Sequence, residues 1–599
     1  MNWGVPTLLL AVGALAGLAT LAPGAPASRP APAALAPVTL HGVDISQIDR
    51  AVDPCSDFFE YANGRWRVEN PIPEGQPRWS QRQVSRALNR QRVRAILEEL
   101  AAAQNLRAGS AGQLLGDHFA ACMDEEIVAR AGIAPLSALL SMIDGTHTLS
   151  DLQAAIRRLH EVGVAVPFTV TSALDFHDPN RTLASLGAAA LPERALFADP
   201  AERERRIAHG ARLLTLAGKA EGEARRDAEA VVALEQRLAE AALDAVAAAD
   251  PAATDHLLPF GELESLASHF DWRLYFDDAA LPRVDLNVAE PDFFRRLDAE
   301  LVATPVATWR AYLAWQLLES AAPWLSPPFV AESDRFVLGD GAAGKPRAER
   351  CVESVEALFP EALGREYAER HFPPAAKEKV QEIARNLLSA LAGEVASVDW
   401  MEAETKRLAL EKLAATNLEL GYPDTWSALP ALPIRRDSLW ANVSAARRAL
   451  VEEDRGRVGK PTDRDLWALA PSSPGAYLDL QLNKLVLPAG FLQPPYFDPV
   501  AADAVNYGAL GVVLAHDLTH AIDAGGSEVD LQGRPRNWWS DLDRAGFAER
   551  GRCVAEQFEG YLVAPGVRHE GSRVLAESIA DLAGVRVALR ALRGVQLLR

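Results

Sequence analysis

Residues 511–523 read Gly-Val-Val-Leu-Ala-His-Asp-Leu-Thr-His-Ala-Ile-Asp and are the most informative part of the chain. The apolar run before His516 and His520 indicates a helix, and their four-residue spacing places both imidazoles on one helix face. One tetrahedral zinc ion can take both as ligands. The usual signature, His-Glu-x-x-His, supplies a glutamate as general base, whereas Asp517 stands at that position here. The alternative interpretation is a core helix with two incidental histidines.

A second acidic motif, Glu577-Ser-Ile-Ala-Asp581, follows later in the chain. A zinc site of this type needs a third protein ligand from another helix, and Glu577 suits that role. Asp581, and Asp523 three residues after His520, are placed to accept the free ring N–H groups of the histidines. The alternative for Glu577 and Asp581 is a solvated helix face.

Several motifs together resemble the neprilysin-like zinc metallopeptidases, which are of the gluzincin type. Two of them are the zinc-helix motif, with its continuation Asn537-Trp-Trp-Ser540, and Glu577-Ser-Ile-Ala-Asp-Leu-Ala-Gly584. Earlier segments are also similar to family motifs, namely Asp53-Pro-Cys-Ser-Asp-Phe-Phe-Glu-Tyr-Ala-Asn-Gly-Arg-Trp66, Glu404-Thr-Lys406 through Gly421-Tyr-Pro-Asp424, and Asn483-Lys-Leu-Val-Leu-Pro-Ala-Gly-Phe-Leu-Gln-Pro-Pro-Tyr-Phe-Asp498. The resemblance extends from Gly42 to the last residues.

The resemblance implies a mainly α, two-lobed neprilysin-like fold. A helical N-terminal lobe is expected at residues 42–425. A thermolysin-like zinc lobe, which carries the catalytic site and a small β-sheet, is expected at residues 465–599.

Hydrophobic periodicity gives an independent secondary-structure prediction. Residues 87–103 and 376–398 show apolar positions at three- and four-residue spacing, which is typical of helices. Residues 201–249 are expected to form two helices broken near Gly218 and Gly222. Residues 477–487 alternate as a strand or hairpin does. By resemblance, an edge strand in this region pairs with the extended substrate backbone, and the alternative is an ordinary core hairpin.

The resemblance also implies specific site residues. One zinc ion per chain is bound by His516, His520 and Glu577, with Asp523 and Asp581 behind the histidines.

Further roles come from the same resemblance. Asp517 stands at the position of the catalytic base. The substrate-binding Asn-Ala pair of the family falls on Gly475-Ala476, and Arg78 lies near an arginine that holds the far end of the substrate. Cys122 and Cys351 are expected to form a disulfide.

The implied function is zinc-dependent hydrolysis of peptide bonds in short peptides. Asp517 and Gly475 depart from the family's glutamate and asparagine, and family members continue beyond Arg599 with a histidine that stabilises the oxyanion. Loss of a general base costs about 10²–10⁴ in rate, and loss of one oxyanion donor about 10²–10³. The sequence therefore predicts impaired turnover. The alternatives are a non-catalytic relative that binds zinc and peptides or a partner, and a truncated product that folds poorly.

The N-terminal residues predict export to the bacterial periplasm or the extracellular space. Residues 1–27 carry no charge and contain an apolar run from Leu8 to Leu21 followed by Ala25-Pro-Ala27, which resembles a signal-peptide cleavage site. Residues 28–41 are a Pro/Ala-rich linker. No stable membrane span is expected after cleavage. The alternative is an uncleaved membrane anchor, although the apolar run is shorter than the roughly 20 residues that a spanning helix needs.

Net charge and cysteine content bear on the kinds of partner and on the disulfides that this chain can have. The net charge of −20 argues against nucleic acid as a partner, because its phosphates would be repelled. Four cysteines are too few for a disulfide scaffold in a chain of 599 residues. Three alternatives stay open for Cys55 and Cys553: they are free thiols, they form a disulfide with each other, or they are buried and reduced.

Overall fold

The computed structural model describes residues 45–598, apart from residues 74, 75, 340, 342, 343 and 565. The described residues form mainly α-helices with small β-sheets, as the sequence predicts. The predicted signal peptide at residues 1–27 and the linker at residues 28–41 lie outside the described residues.

The α-helices are, in chain order, α1 (Phe58–Glu69), α2 (Gln81–Ala102), α3 (Ala111–Met123), α4 (Glu125–Ala131), α5 (Ser137–Asp144), α6 (Leu149–Glu161), α7 (Arg194–Ala198), α8 (Pro200–Leu216), α9 (Glu221–Ala239), α10 (Ala245–Ala248), α11 (Pro251–Thr254), α12 (Phe260–Leu266), α13 (Trp272–Asp278), α14 (Pro291–Ala303), α15 (Val306–Ala321), α16 (Pro327–Leu338), α17 (Arg347–Leu358), α18 (Pro360–His371), α19 (Pro374–Ser397), α20 (Ala403–Ala414), α21 (Leu439–Arg455), α22 (Asp503–Asn506), α23 (Val512–His520), α24 (Asp541–Glu559) and α25 (Gly571–Leu598). The strands are β1 (Phe168–Leu174), β2 (Thr182–Ala188), β3 (Leu257–Leu258), β4 (Leu286–Val288), β5 (Asn417–Gly421), β6 (Tyr477–Asp479), β7 (Lys484–Pro488), β8 (Leu562–Ala564) and β9 (Val567–Arg568).

The chain divides into two compact units, and each is assembled from separate stretches of sequence. Of the described residues, the first unit contains 97–359 and 428–463, and the second contains 45–96, 360–427 and 464–598. The lobes expected at residues 42–425 and 465–599 are continuous stretches, so the structure groups several segments differently. The physical reason is visible in α19, which packs against α23 and α25 and therefore belongs to the unit that they form.

The first unit has a four-stranded sheet in the order β1-β2-β4-β3. Phe168 on β1 is fully buried, and its ring lies among aromatic side chains at centroid distances of 5.2–5.9 Å. These contacts come from Phe270, Trp272, Tyr275 and Phe294. A disulfide between Cys122 on α3 and Cys351 on α17 lies in the same unit, and it is the pairing that the resemblance implies.

The second unit has a three-stranded sheet in the order β5-β7-β6. All five residues of the central strand β7 are buried, whereas β6 lies at the edge of the sheet. Strand β6 pairs antiparallel with β7, and β5 pairs parallel with it. The alternating residues 477–487 therefore form a hairpin, and its first strand has one edge without a partner strand among the described residues.

The helix predictions agree with the structure in type and differ at the boundaries. Helix α19 matches the prediction closely. Helix α2 begins six residues earlier than predicted, because residues 81–86 are mostly polar and so carry no apolar period. Gly218, at φ +103°, lies in the predicted break between α8 and α9. The later part of the predicted helical stretch 201–249 is interrupted, since α9 ends at Ala239 and Asp244 caps the separate helix α10.

Cys55 and Cys553 are exposed free thiols in the structure. Of the three alternatives left open, the free thiols are therefore the one that the structure shows, whereas the mutual bridge and the buried side chains are not. Cys55 lies in the exposed turn before α1, and Cys553 lies on the solvent side of α24.

Among the described residues, no helix by itself combines the length and apolar composition needed to cross a bilayer. One pair of helical segments, Glu125–Ala131 and Ala134–Asp144, meets these criteria jointly, with a bend of 56° between them.

Candidate metal centre

The two histidines of the opening motif lie on α23 and face each other. This helix directly follows α22 and a π-helical segment, Tyr507–Gly511, of a kind that is frequent at functional sites. The ring centroids of His516 and His520 are 4.7 Å apart, and their Nε2 atoms are 3.0 Å apart. The four-residue spacing therefore brings two potential ligand atoms to one point, as the sequence predicts.

Glu577 reaches the same point from α25. Its Oε2 atom lies 3.4 Å from Nε2 of His516, and its Oε1 atom lies 3.8 Å from Nε2 of His520. One ligand atom from each of the three residues lies within 4.8 Å of the other two. The packing of α25 against α23 thus completes a His-His-Glu set.

Both histidines are held from behind by carboxylates. Nδ1 of His516 lies 2.8 Å from Oδ1 of Asp581, and Nδ1 of His520 lies 2.8 Å from Oδ2 of Asp523. A carboxylate accepts the ring N–H and so leaves the lone pair of Nε2 directed at the common point. The hydrogen bond with Asp581 also raises the pKa of His516, because the carboxylate stabilises the protonated ring.

The three side chains fit a zinc ion. A tetrahedral zinc bound at about 2.0–2.1 Å separates its ligand atoms by about 3.3 Å. The observed separations of 3.0, 3.4 and 3.8 Å bracket that value. Two imidazoles and one carboxylate are also the ligand chemistry of catalytic zinc sites, which keep a fourth position for water or substrate.

Burial is unequal around this centre. The side chains of His516 and His520 are 17% and 8% exposed, whereas those of Glu577 and Asp581 are 67% and 74% exposed. The two α25 carboxylates thus approach the histidines from the solvent side of the site. The histidines are positioned by packing, and Glu577 is free to adjust to a ligand.

Asp517 projects from the same helix and lies within electrostatic range of the ligands. Burial raises the pKa of its carboxyl to about 6, an effect that Glu577 reinforces and that His516, His520 and Arg82 oppose. A general base works best when its pKa lies near the working pH. Asp517 therefore has the environment of a proton acceptor, although its side chain is one methylene shorter than glutamate.

Gly584 permits the close approach of α25 to α23. A Cβ atom at this position would lie 2.6 Å from the carbonyl oxygen of Val512 and 3.3 Å from Cβ of His516. Contacts below 3.0 Å to backbone atoms require the backbone to move. The glycine of the Glu577–Gly584 motif is thus explained by helix packing directly beside a ligand.

We expect Gly584→Ala to separate α25 from α23, to lower the free energy of unfolding by about 1–3 kcal/mol and to weaken zinc binding. Gly594 on the same helix is the matched control, because a Cβ there meets no atom within 4 Å. Gly594→Ala should be neutral or slightly stabilising, since alanine is the better helix former by about 1 kcal/mol. Chemical unfolding and zinc titration of both variants measure the difference. Equal behaviour of the two variants would contradict this packing role.

The residues expected to bind substrate lie in the same unit. Gly475 and Ala476 are half-buried and immediately precede the edge strand β6, which packs against α23. Arg78 is exposed and lies shortly before α2. The structure thus places Gly475-Ala476 next to the strand edge that has no partner strand in the described ranges. No hydrogen bond or ion pair of the described residues joins Arg78 to the metal centre.

Sequence reasoning overlooked two basic residues near the site. Arg82 acts electrostatically on Asp517, and together with Arg78 it lowers the pKa of Arg86, after the larger effect of burial. A signal was available, because residues 76–97 contain six arginines and no acidic residue in a chain of net charge −20. The other residue is Lys412, a lysine that the sequence does not distinguish from its solvent-exposed neighbours on α20.

Comparison with protein families gives two matches. The descriptions of both models read "Peptidase family M13", one for the N-terminal part at residues 54–423 and one at residues 475–598. Among curated proteins, endothelin-converting enzyme 1 of Rattus norvegicus is 27% identical over 91% of this chain and 75% of its own length. Human endothelin-converting enzyme-like 1 is 25% identical over 91% of this chain and 74% of its own length.

Comparison with solved structures also finds proteins of similar fold. The chain is similar to Mycobacterium tuberculosis zinc metalloprotease ZMP1 in its open state, with a TM-score of 0.83 and 31% identity over 90% of this chain and 86% of that one. PepO from Lactobacillus rhamnosis is similar in fold, with a TM-score of 0.75 and 24% identity over 90% of this chain and 87% of that one.

Proposed function

This chain belongs to peptidase family M13, the neprilysin-like metallopeptidases, and on that premise we propose that it is a zinc-dependent endopeptidase of short peptides. The observation that carries the proposal is the convergence of His516, His520 and Glu577, whose ligand atoms lie within 4.8 Å of one another. We propose one zinc ion per chain at this point.

The protein side of the mechanism follows from the contacts of the site. His516, His520 and Glu577 would hold the zinc ion, and Asp581 and Asp523 keep both histidines in the tautomer that binds it. When bound, zinc supplies Lewis-acid polarisation of the scissile carbonyl and activation of the attacking water.

Asp517 would accept the proton of the attacking water and return it to the leaving amine. A general base must come within about 2.6–3.2 Å of the proton that it takes. Relative to glutamate, the missing methylene withdraws the carboxylate by roughly 1.5 Å. We therefore propose that proton transfer in this chain is slower than a glutamate would make it, and that turnover is impaired.

Substrate binding is proposed along β6. Within the part of the chain that the structure describes, no strand pairs with the outer edge of β6, so an extended peptide can add there as a further strand. Gly475 offers no side chain for a polar clamp, so backbone pairing would have the larger share of binding. The positive charges of Arg78, Arg82 and Arg86 favour peptides that present a carboxylate to this region.

A second function is favoured by one observation, the Asp517 substitution itself. A relative that had lost proton transfer but kept the His-His-Glu set would bind zinc and peptides without cleaving them. Export to the periplasm or the extracellular space is proposed for either function, from the composition of residues 1–41.

Cleavage of a fluorogenic peptide library by the purified, zinc-loaded protein tests the proposal. We expect slow cleavage that a chelator abolishes and added zinc restores, because the proposed chemistry needs the ion. Circular dichroism and resistance to limited proteolysis serve as the controls for folding. A folded protein with one zinc per chain and no cleavage would overturn the peptidase proposal in favour of the binding protein. A sample that is cut readily would identify a poorly folded product.

A further inference from the structure

Lys412 on α20 is a buried lysine beside the metal centre. Its residue is 1% exposed. The ammonium donates hydrogen bonds to the carbonyl oxygens of Gly526, at 2.8 Å, and Val529, at 2.7 Å. It also lies 5.8 Å from the ring centroid of Trp538. The side chain therefore holds in place the turn Gly526–Val529, which follows α23.

A buried ammonium carries a large desolvation cost unless it is paired and hydrogen-bonded. Burial lowers the pKa of Lys412 to about 8, and the negative charges of Asp523 and Asp530 oppose this effect. The lysine thus remains charged at neutral pH, with two carbonyls and two carboxylates as its environment. Because burying a charged lysine is costly, its position near the end of α23 suggests a role other than packing.

The turn held by Lys412 connects directly to a ligand. The backbone N–H of Gly526 donates to Oδ1 of Asp523 at 2.9 Å, and Oδ2 of the same carboxylate lies 2.8 Å from Nδ1 of His520. The path from the ammonium to the imidazole therefore consists of three hydrogen bonds in sequence. Asp523 is 4% exposed, so water does not easily replace any of them.

Trp538 and the glycine at 526 support the same arrangement. Nε1 of Trp538 donates to the carbonyl oxygens of Gly526 and Val529, at 3.0 and 3.1 Å, so each carbonyl accepts from both side chains. A Cβ atom at Gly526 would lie 2.3 Å from the carbonyl oxygen of His520. The turn is thus held tightly against the last residue of α23, with little freedom to relax if one anchor is removed.

We infer that Lys412 is a positioning residue of the metal centre, which fixes the Gly526–Val529 turn so that Asp523 holds His520 in its ligand orientation. The inference rests on the proposed zinc site. It assigns to α20 a role in metal affinity, although none of the proposed ligands lies on α20. Outer partners of ligating histidines typically contribute about 10–100-fold to metal affinity.

Lys484 is a matched control. It is also 1% exposed, and its ammonium also donates to two backbone carbonyls, those of Arg464 at 2.8 Å and Leu466 at 2.7 Å. It pairs with Glu419 at 3.3 Å. These partners lie on β5 or shortly before β6, and none of them belongs to the Gly526–Val529 turn or to the His516, His520 and Glu577 set. Replacement of either lysine removes a buried cation. Of the two, Lys412 is the one that hydrogen-bonds the turn next to His520.

The experiment compares Lys412→Met with Lys484→Met in the full chain. Zinc affinity is measured by competition with a chelator, and the cobalt-substituted proteins are compared by visible absorption, which reports ligand geometry without any activity. We expect Lys412→Met to lose about 10–100-fold in zinc affinity and to show an altered cobalt spectrum. Lys484→Met should lower thermal stability while both metal readouts stay unchanged. Unchanged metal readouts in Lys412→Met, or equal losses in both variants, would overturn the inference.

Two further variants separate the remaining outcomes. If Lys412→Met does not fold, Trp538→Phe decides, because it removes one donor to the same two carbonyls and keeps the lysine. A weaker zinc affinity then supports the role of the turn, and an unchanged affinity overturns it. Glu577→Ala tests the zinc site itself: if that variant binds zinc like the unmodified protein, the proposed function fails. If Glu577→Ala loses zinc while Lys412→Met binds zinc like the unmodified protein, the inference about Lys412 fails and the zinc site stands.

Discussion

Replacing Glu577 by alanine is expected to abolish stoichiometric zinc binding and, with it, peptidase activity. The change removes one of three ligands and leaves His516 and His520 on α23 as an incomplete pair. Loss of an outer partner of a zinc ligand already costs about 10–100-fold in affinity, and loss of a ligand should cost more. Metal analysis of dialysed protein and chelator competition measure the effect. The fold should persist, because this side chain is 67% exposed and packs little.

Glu556→Ala on the neighbouring helix α24 is the control for this variant. The Glu556 side chain is also 67% exposed, and its ion pair with Arg552 is a surface pair at 3.9 Å. Such pairs contribute little to stability. Zinc content of the control should equal that of the unmodified protein. Full zinc stoichiometry in Glu577→Ala would remove Glu577 from the ligand set and leave the two histidines without the third partner proposed here.

Lengthening Asp517 to glutamate is expected to raise the turnover number by about 10²-fold, the lower end of what a well-placed general base contributes. The reason is reach, since the added methylene returns the carboxylate toward the proton that it must accept. Asp517→Asn should have the opposite result and lower the turnover number by about 10²–10⁴-fold with zinc retained. Steady-state kinetics on a fluorogenic peptide, together with metal analysis, measure both variants.

The control for the lengthened side chain is Asp541→Glu, the same change at a carboxylate that is 95% exposed at the start of α24. Its turnover should equal that of the unmodified protein. A zinc-loaded Asp517→Glu variant without any gain would show that the reach of the base does not limit this chain. If Asp517→Asn kept the original turnover, Asp517 would have no part in proton transfer.

Sequence patterns were sufficient to predict the features that depend on residues close together along the chain. His516 and His520 share a helix face because of their spacing alone, and the structure places their Nε2 atoms 3.0 Å apart. The alternation at residues 477–487 gave the β6–β7 hairpin, and Gly218 marked the break between α8 and α9, whereas Gly222 lies in the first turn of α9. The spacing of Glu577 and Asp581 made Glu577 a candidate for the third ligand, and the resemblance, which rests on residue identity, supplied the family.

Sequence patterns were insufficient to predict the features that depend on contacts between segments distant in the chain. Cys55 and Cys553 left three alternatives, because exposure is not encoded in the residues beside them. The two compact units are discontinuous, since α19 packs with helices that lie more than a hundred residues further on. The beginning of α2 was missed because its first residues are mostly polar and carry no apolar period.

The sequence by itself determined the type of site: helical periodicity places two imidazoles together, and the residue at the base position is chemically an aspartate whatever the fold. Tertiary structure decided the rest. The approach of α25, which Gly584 permits, brings Glu577 to the histidines. The burial of Lys412 follows from contacts with a turn that lies far along the chain. Periodicity acts over a few residues through backbone geometry, whereas burial and ligand closure depend on packing between helices that are distant in sequence.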